Sequence, residues 1–423
     1  MIPFEPTRQA AQARLSTVDP TAYARTRNAI NGAVTRLSPY LTHGVLSLRE
    51  VYAAVHARHL LDAKHKFVFE LGWRAYWRHV WSHLGDGIHR SIHTGLLPDD
   101  AYQPDMPADV IEARTGVAAI DLAVRELYAT GYLHNHARMW LASYVVHLRK
   151  VHWHAGAQWM LGHLLDGDLA SNHLSWQWVA GTGSSKPYLF NADNVGKYAP
   201  AQWHSPGTSI DTSYEAMDAL ARRVEPIDTR FDQRKVGAGV AQPTLYAGPG
   251  GDGANQGRSG NPWIAPEQAG LHVMHQDVVL VHPWSLGAWA AEQNAPLPQT
   301  LGAINSQTRS NILTIAVGLD ASHAPSPWSE RRWDFATRGL QEQTRHLWWG
   351  NPEQLAAALQ TAKSVQWQAD PHADTALAAL KNQLQNTAPH CRVQSHTLPC
   401  LFEPVDVYCR SFSEWWKRTR IAK

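Results

Sequence analysis

One predicted helix carries four side chains of different chemistry along a single face. The segment FVFELGWRAYWRH (67–79) places an acid, a cation and two aromatic rings at i, i+3, i+4 and i+7: Glu70, Trp73, Arg74 and Trp77. This spacing aligns side chains on one stripe of a helix. The stripe can stack a flat base and hydrogen-bond its edge. It can equally be an interhelical salt bridge beside packed tryptophans, and both interpretations stay open from the spacing alone.

A second group of polar residues lies in TGYLHNHARM (130–139) and LLDGDLASNHLSWQW (164–178). Asn135, Arg138 and Met139 share one helix face, so an amide, a cation and a soft apolar group can converge on one site. Arg138 has a possible ion-pair partner in Asp166. We interpret these two segments as parts of one binding site.

The third candidate is VTRLSPYLTHG (34–44), just before the capping-box sequence Ser47–Glu50. Hydroxyl groups, backbone amides and an arginine near a helix start suit a bound phosphate. Ser, Thr and Pro also collect at helix starts for structural reasons, so the segment alone does not decide between the two.

Helices are predicted to position all three groups. Apolar periodicity predicts helices over 51–61, 66–84, 118–128, 135–148, 156–165 and 213–224. A Gly- and Pro-rich stretch follows at 237–262, and beyond it short apolar strands alternate with helices, as in a mostly parallel sheet. The sequence therefore predicts a helical domain in 1–224, a linker in 225–271 and an α/β domain in 272–423.

Composition bounds the class of protein. The 423 residues have a net charge of +2, and no apolar run approaches the roughly 20 residues of a membrane span. We expect a soluble, cytoplasmic protein without membrane association, and reduced thiols at its three cysteines. Three cysteines fall short of the four ligands of an iron–sulfur cluster. The histidines at 134, 136, 147, 152 and 154 lack a known metal-binding spacing, so we expect no metal site.

Four motifs together resemble a known family. TRLSPYLTHG, FELGWRAYWRH, TGYLHNHARM and LLDGDLASNHLSWQW occur in one order between Tyr23 and Tyr198. This combination is similar to the flavin-binding helical domain of DNA photolyases and cryptochromes. The resemblance implies an all-α FAD-binding domain followed here by an α/β parallel-sheet domain, with FAD as the cofactor.

The resemblance also assigns cofactor contacts. It implies that the phosphates and ribityl chain of FAD are held by Tyr23, Thr35, Arg36, Leu37 and Ser38. Arg138 and Asp166 would form an ion pair beside the isoalloxazine ring, with Asp168 also in contact. Asn172 falls where the family places the residue that faces flavin N5, and a neutral amide there is typical of photolyases.

For the substrate side, the resemblance implies a catalytic pocket made by Glu70, Trp73, Asn135, Met139 and Trp178. Glu70 would hydrogen-bond a pyrimidine dimer, as a neutral acid kept protonated by burial, and Trp73 would stack on it. Asn135 stands where (6-4) photolyases typically have a histidine, which favours the cyclobutane dimer. Trp176 and then Trp153 match the inner links of the family's electron-transfer chain, and Tyr102 is the redox-capable residue near its outer link.

The C-terminal half resembles the family's α/β antenna domain, which usually precedes the helical domain. We therefore expect a circularly permuted order and a second chromophore, folate or deazaflavin, which the sequence does not identify. The implied activity is light-dependent splitting of cyclobutane pyrimidine dimers in UV-damaged DNA by a monomeric deoxyribodipyrimidine photolyase. A cryptochrome-type blue-light receptor without repair activity is the alternative, which His136 and Ser175 leave open. A flavoprotein without any light function is the third.

Overall fold

Two compact units make up the chain in a computed structural model that describes residues 4–230, 232, 237–249, 261–287, 312–323 and 325–422. The α/β unit contains residues 1–16, 37–51 and 245–399, and the helical unit contains residues 17–36, 52–244 and 400–423. No helix in these described ranges combines the length and the apolar character that crossing a membrane requires. Each unit is described by itself below.

Helices dominate the first half of the chain. In chain order the α-helices are α1 (Arg8–Ser16), α2 (Pro20–Thr26), α3 (Ser38–Thr42), α4 (Leu48–His59), α5 (Lys66–Leu84), α6 (Ala108–Ile111), α7 (Ala118–Thr130), α8 (Asn135–Ser143), α9 (Trp153–His163), α10 (Leu169–Ala180), α11 (Ala192–Tyr198), α12 (Tyr214–Ala221), α13 (Asp320–His323), α14 (Glu330–Gln341), α15 (Pro352–Leu359), α16 (Asp374–Thr387) and α17 (Phe412–Arg418). A π-helical turn, Tyr144–Leu148, continues α8, and short 3₁₀ turns cover Gly85–His89, Asp99–Ala101, Ala201–Trp203 and Pro266–Gln268.

The helical unit is built on α7 to α10, whose apolar faces form one core. Ile120, Leu141 and Val145 are fully buried in it. Histidines begin two of these helices, because the Nδ1 atoms of His134 and His152 accept hydrogen bonds from the His136 and His154 amides at 3.1 and 3.3 Å. A neutral imidazole can accept in this way, like the usual N-cap side chains. Two of the histidines considered for metal binding thus serve as helix caps.

The C-terminal segment completes the helical unit by packing on α5. Phe412 stacks on Trp73 with 4.2 Å between ring centroids and an interplanar angle of 15°, and it meets Phe69 edge-on at 4.5 Å. Trp416 passes over Gly72, where an added Cβ would lie 2.4 Å from its Cζ3 atom. The absence of a side chain at Gly72 therefore admits the α17 indole.

The α/β unit contains a six-stranded parallel sheet. Its strands are β2 (Trp263–Ile264), β3 (Asp277–Val281), β4 (Ile312–Leu319), β6 (Leu347–Gly350), β7 (Ser364–Gln368) and β8 (Arg392–His396), in the spatial order β2-β6-β4-β3-β7-β8. β1 (Leu245–Tyr246) and β5 (Trp328–Ser329) form a separate antiparallel pair. Parallel neighbours need crossover connections, which α14, α15 and α16 provide. The central strands β3 and β4 are apolar and buried, as expected for a covered parallel sheet.

The predicted fold class is confirmed, with a helical part followed by an α/β part. The predicted capping box is also present, since the Glu50 amide donates to Ser47 Oγ at 3.1 Å and the Ser47 amide donates to Glu50 Oε2 at 2.7 Å. The compact units differ from the predicted ranges, because residues 400–423 pack in the helical unit and residues 1–16 and 37–51 pack in the α/β unit. The predicted boundaries came from changes in composition along the chain. The unit to which a segment belongs depends instead on its apolar contacts with residues far away in the sequence, which composition does not show. Part of the predicted linker, residues 250–260, lies outside the described ranges.

Candidate functional site

A partly open cavity in the helical unit is bounded by α5, α8, α9 and α10. Its volume is about 200 Å³, and it opens to solvent at one side. Its walls consist of Arg74, Trp77, Asn135, Arg138, Met139, Ala142, Met160, Asp166, Ser171, Asn172, Ser175, Trp176 and Val179. Eight residues singled out from the sequence therefore meet here: Arg74, Trp77, Asn135, Arg138, Met139, Asp166, Asn172 and Trp176.

The ion pair between Arg138 and Asp166 is the main charged feature of the wall. Arg138 Nη2 donates to both Asp166 carboxylate oxygens, at 2.9 and 2.7 Å, and its Nε donates to the Leu133 carbonyl at 2.8 Å. Asp166 is 5% exposed. The short α8 helix thus presents a guanidinium whose position is fixed by two acceptors.

Arg36 joins this charged region through the ring of Tyr132. The Arg36 and Arg138 guanidinium carbons lie 5.7 and 5.6 Å from the Tyr132 ring centroid. Arg36 also has a left-handed backbone, with φ at 53°, which is uncommon for a residue with a side chain. Strain of this kind concentrates at functional sites. The two arginines give the region a positive character that suits a phosphate-bearing ligand.

Asp168 does not line the cavity; its carboxylate caps a helix and binds two arginines. Its Oδ1 accepts from the Ser171 amide at 2.9 Å, which caps α10, and its Oδ2 accepts from Arg78 at 2.9 Å and from Arg74 at 3.4 Å. Its side chain is fully buried. Asp168 therefore fixes the start of α10 and anchors two arginines of α5.

Asn172 presents a carboxamide to the cavity from α10. Its Nδ2 donates to the Ala157 carbonyl on α9 at 2.8 Å, and the residue is 8% exposed. Because Nδ2 is hydrogen-bonded to the Ala157 carbonyl, the Asn172 Oδ1 atom is the one available to a ligand. The neighbouring Ser171 lines the cavity too, and its buried Oγ has no hydrogen-bond partner among the described residues. An orphaned buried hydroxyl is costly unless a bound molecule or water satisfies it, so the wall is suited to a polar ligand.

The two tryptophans assigned to electron transfer are held between α9 and α10. Trp153 is 2% exposed and its Nε1 donates to Ser91 Oγ at 3.0 Å. Trp176 lines the cavity and covers Gly156 of α9, where a Cβ would lie 2.3 Å from the Trp176 Cη2 atom. Gly156 therefore sets the position of Trp176.

Replacing Gly156 by valine should displace Trp176 and lower the free energy of unfolding by about 1–3 kcal/mol, the usual cost of overpacking a core. Urea unfolding measures this loss, and the flavin content of the variant reports the damage to the cavity wall. Gly196→Ala is the matched control, because nothing lies within 4 Å of a Cβ at that helical glycine. Equal stability of Gly156→Val and the parent would contradict this packing.

The remaining candidates lie outside the cavity wall. Tyr23, on α2, packs edge-on against Phe67 at 5.5 Å, and burial raises the pKa of its phenol. Thr35 belongs to the helical unit, whereas Leu37 and Ser38 belong to the α/β unit, where Leu37 is 1% exposed and Ser38 begins α3. Trp178 packs against Tyr188 at 5.9 Å instead of facing the cavity. Their cofactor and pocket roles stay predictions.

Glu70 and Trp73 differ most from their expected environments. The Glu70 side chain is 29% exposed and its Oε1 lies 2.8 Å from Lys66 Nζ and 3.2 Å from Arg27 Nη2. Glu70 is thus partly exposed and ion-paired, whereas a buried side chain was expected from the sequence, and its role as a proton-bearing acid stays a prediction. One face of Trp73 is covered by Phe412. The covering residue is more than three hundred positions away, so no local sequence signal could have shown it.

Arg74 and Trp77 also line the cavity. They belong to the stripe of α5 that their spacing indicated as a possible binding face, although the family resemblance gave them no role. Ser171 and Ser175 were missed as site residues, although they are four residues apart on α10 and so share one face of that helix.

Comparisons with known proteins agree on this region. Residues 67–205 match the FAD binding domain of DNA photolyase. The chain is 36% identical over 159 residues to the deoxyribodipyrimidine photo-lyase of Streptomyces griseus, covering 36% of this chain and 33% of that protein. It is 34% identical over 173 residues to cryptochrome DASH of Gloeobacter violaceus, covering 38% of this chain and 34% of that protein. It thus spans about a third of the length of these curated relatives.

Among solved structures, a cryptochrome of Synechocystis is 29% identical with a TM-score of 0.42, covering 47% of this chain and 44% of that one. The matched segment 67–205 contains every residue of the cavity wall and its buried ion pair. Residues 67–205 are therefore similar to the FAD-binding domain of photolyases and cryptochromes, and this match supports FAD as the cofactor.

Proposed function

We propose that this protein is a light-driven flavoenzyme that splits cyclobutane pyrimidine dimers in UV-damaged DNA. The observation that carries the proposal is the cavity itself, where Asn172 and Arg138, assigned to the cofactor, meet Asn135 and Met139, assigned to the lesion. Bound FAD in its reduced, light-excited form would supply the electron that opens the dimer and would take it back afterwards. The net reaction then consumes no reductant.

The residues of this chain would hold and orient the reactants. Arg138, fixed by Asp166 and Leu133, would place a positive charge next to the cofactor ring. The Asn172 oxygen would accept a hydrogen bond from the ring edge. Asn135, whose Nδ2 lies 3.5 Å from the Met139 sulfur, would present an amide to the flipped-out base.

Partly exposed cations of the helical unit are possible phosphate contacts. The side chains of Lys66, Arg78 and Arg27 are 37, 29 and 21% exposed. Contacts of partly exposed cations with phosphates stabilise protein–DNA complexes at low salt. This distribution, rather than the net charge, supports DNA as the partner.

One observation favours a second candidate, a blue-light receptor of the cryptochrome type. Phe412 covers one face of the ring that should stack on the dimer, and Glu70 is engaged by Arg27 and Lys66. A site of this kind can hold FAD without admitting a lesion. The relatives include both photo-lyases and cryptochrome DASH proteins.

Illumination of the purified protein with a dimer-containing oligonucleotide separates the two functions. Under blue light the dimer should disappear with multiple turnovers, and a dark sample should leave it intact. Light-induced change of the flavin absorbance without loss of the dimer would contradict repair and support the receptor.

Glu70→Gln tests the lesion contact within the repair proposal. Because a carboxamide donates a weaker hydrogen bond than a carboxylic acid, the repair quantum yield should fall about tenfold. Glu215→Gln, on the exposed start of α12, is the control and should leave the yield unchanged. An unchanged yield in Glu70→Gln would exclude this role for the residue.

A further inference from the structure

Three histidines from separate elements of the helical unit converge on one point. His89 ends a 3₁₀ turn, His154 lies in the first turn of α9, and His173 lies on α10. One ring nitrogen from each lies within 4.8 Å of the others, with His154 Nε2 and His89 Nδ1 at 3.4 Å. In the described ranges this is the group of His, Cys, Asp or Glu residues whose geometry could hold a metal ion.

The ring nitrogens of the three histidines are not all hydrogen-bonded to one another, as His173 shows. The residue is 0% exposed, and its Nε2 has no hydrogen-bond partner among the described residues. The Leu169 carbonyl is a hydrogen-bond acceptor for the His173 ring. Since Nε2 is unpartnered, that bond uses Nδ1, which also lies 3.4 Å from Asn172 Nδ2, so Nε2 is the nitrogen left for a ligand. Histidine ligands of metals are commonly oriented in this way by a carbonyl on the other nitrogen.

The ring orientations suit a common ligand centre. The ring planes meet at 80°, 87° and 71°, with centroids 5.2 to 5.6 Å apart, so none of the three pairs stacks. Tetrahedral coordination with bonds of about 2.0–2.1 Å needs the nitrogens about 3.3 Å apart. The His154 and His89 nitrogens are nearly this far apart, and side-chain adjustments of up to about 1.5 Å would bring in the nitrogen of the third ring.

The protonation state also fits. Burial lowers the pKa of His89, of His154 and of His173, and the proximity of His89 lowers the pKa of the last two further. All three imidazoles are then neutral at pH 7, the form that binds metals.

We propose that His89, His154 and His173 form a binding site for a divalent transition-metal ion of the zinc class, with a fourth position open to water. Imidazole nitrogens favour zinc, cobalt, nickel and copper over magnesium or calcium. The ion would tie the turn before Arg90 to α9 and α10, next to Trp153, whose ring centroid lies 6.0 Å from that of His173. The proposal does not depend on the function proposed above.

Untagged full-length protein, stripped with a chelator and dialysed, provides the test. Titration with Co²⁺ should give absorption at wavelengths beyond the flavin bands and saturate at one ion per chain, and Zn²⁺ should displace the Co²⁺. His154→Ala and, separately, the half-buried His89→Ala should each weaken Co²⁺ binding at least about tenfold. Zn²⁺ should also raise the melting temperature of the parent, since a ligand of the native state stabilises it.

His163→Gln is the matched control, because His163 is a buried histidine at the other end of α9 and contacts Gln242 instead. It should bind one Co²⁺ with the affinity of the parent. Absence of saturable binding to the parent, or equal binding by the parent and both alanine variants, would overturn the proposal. Circular dichroism of each variant confirms that lost binding is not lost folding.

Discussion

Replacement of Asp166 by alanine is expected to release FAD and to lower the free energy of unfolding by about 3 kcal/mol. Both carboxylate oxygens accept from Arg138 Nη2, and Asp166 is 5% exposed. Removing one member of a buried pair leaves the other charge uncompensated, which usually costs about 3–5 kcal/mol. We take the lower end because the Arg138 side chain is 23% exposed. The freed guanidinium would also lose its fixed position in the cavity wall.

The flavin-to-protein absorbance ratio and urea unfolding measure the two effects. Asp218→Ala is the control, since it removes an exposed aspartate that pairs with Arg222 on α12. It should keep the flavin. A flavin content in Asp166→Ala equal to that of the parent would show that the ion pair does not hold the cofactor.

Acid should unfold this protein at a higher pH than its carboxylates alone would suggest. Burial lowers the pKa of His147 and that of His163 to about 4 from 6.5. Below pH 6.5 the unfolded chain binds these protons and the native state does not, so stability is complete above pH 6.5 and is lost as the pH falls towards 4. At pH 5 each histidine would cost about 2 kcal/mol, together a large part of a typical stability of about 5–15 kcal/mol.

Melting temperatures between pH 7.5 and 4.5 show this loss directly. His163→Gln removes one buried titrating group, so its melting temperature should fall less over that range than that of the parent. His93→Gln changes an exposed histidine and should leave the slope unchanged. Parallel curves for His163→Gln and the parent would show that His163 is protonated in the native state.

The sequence predicts most of the cavity because its determinants are local. Asn135, Arg138 and Met139 share a helix face by spacing alone, and the order of the motifs indicates that Asp166 and Asn172 belong to the same site. The structure brings these residues together. Periodicity also predicts α5 at its observed ends, since its apolar positions and its C-terminal Gly85 are local features.

Other features depend on contacts between distant segments and have no local signal. Phe412 reaches Trp73 only through folding of the C-terminal segment onto α5. Glu70 on α5 pairs with Arg27 at the end of α2, and its side chain is partly exposed instead of buried. The three clustered histidines are spread over residues 89–173 without a recognisable spacing. The permuted domain order stays a prediction, because the family match covers residues 67–205 alone.

The flavin bound by the purified protein tests the central claim most directly. Heat-released chromophore from the parent, identified by mass spectrometry, should be FAD at close to one molecule per chain. An Arg138→Ala, Asp166→Ala double variant that keeps its helical circular dichroism should carry little or none. Absence of flavin from the parent, even after reconstitution with FAD, or full retention of FAD by the double variant, would contradict a FAD site in this cavity.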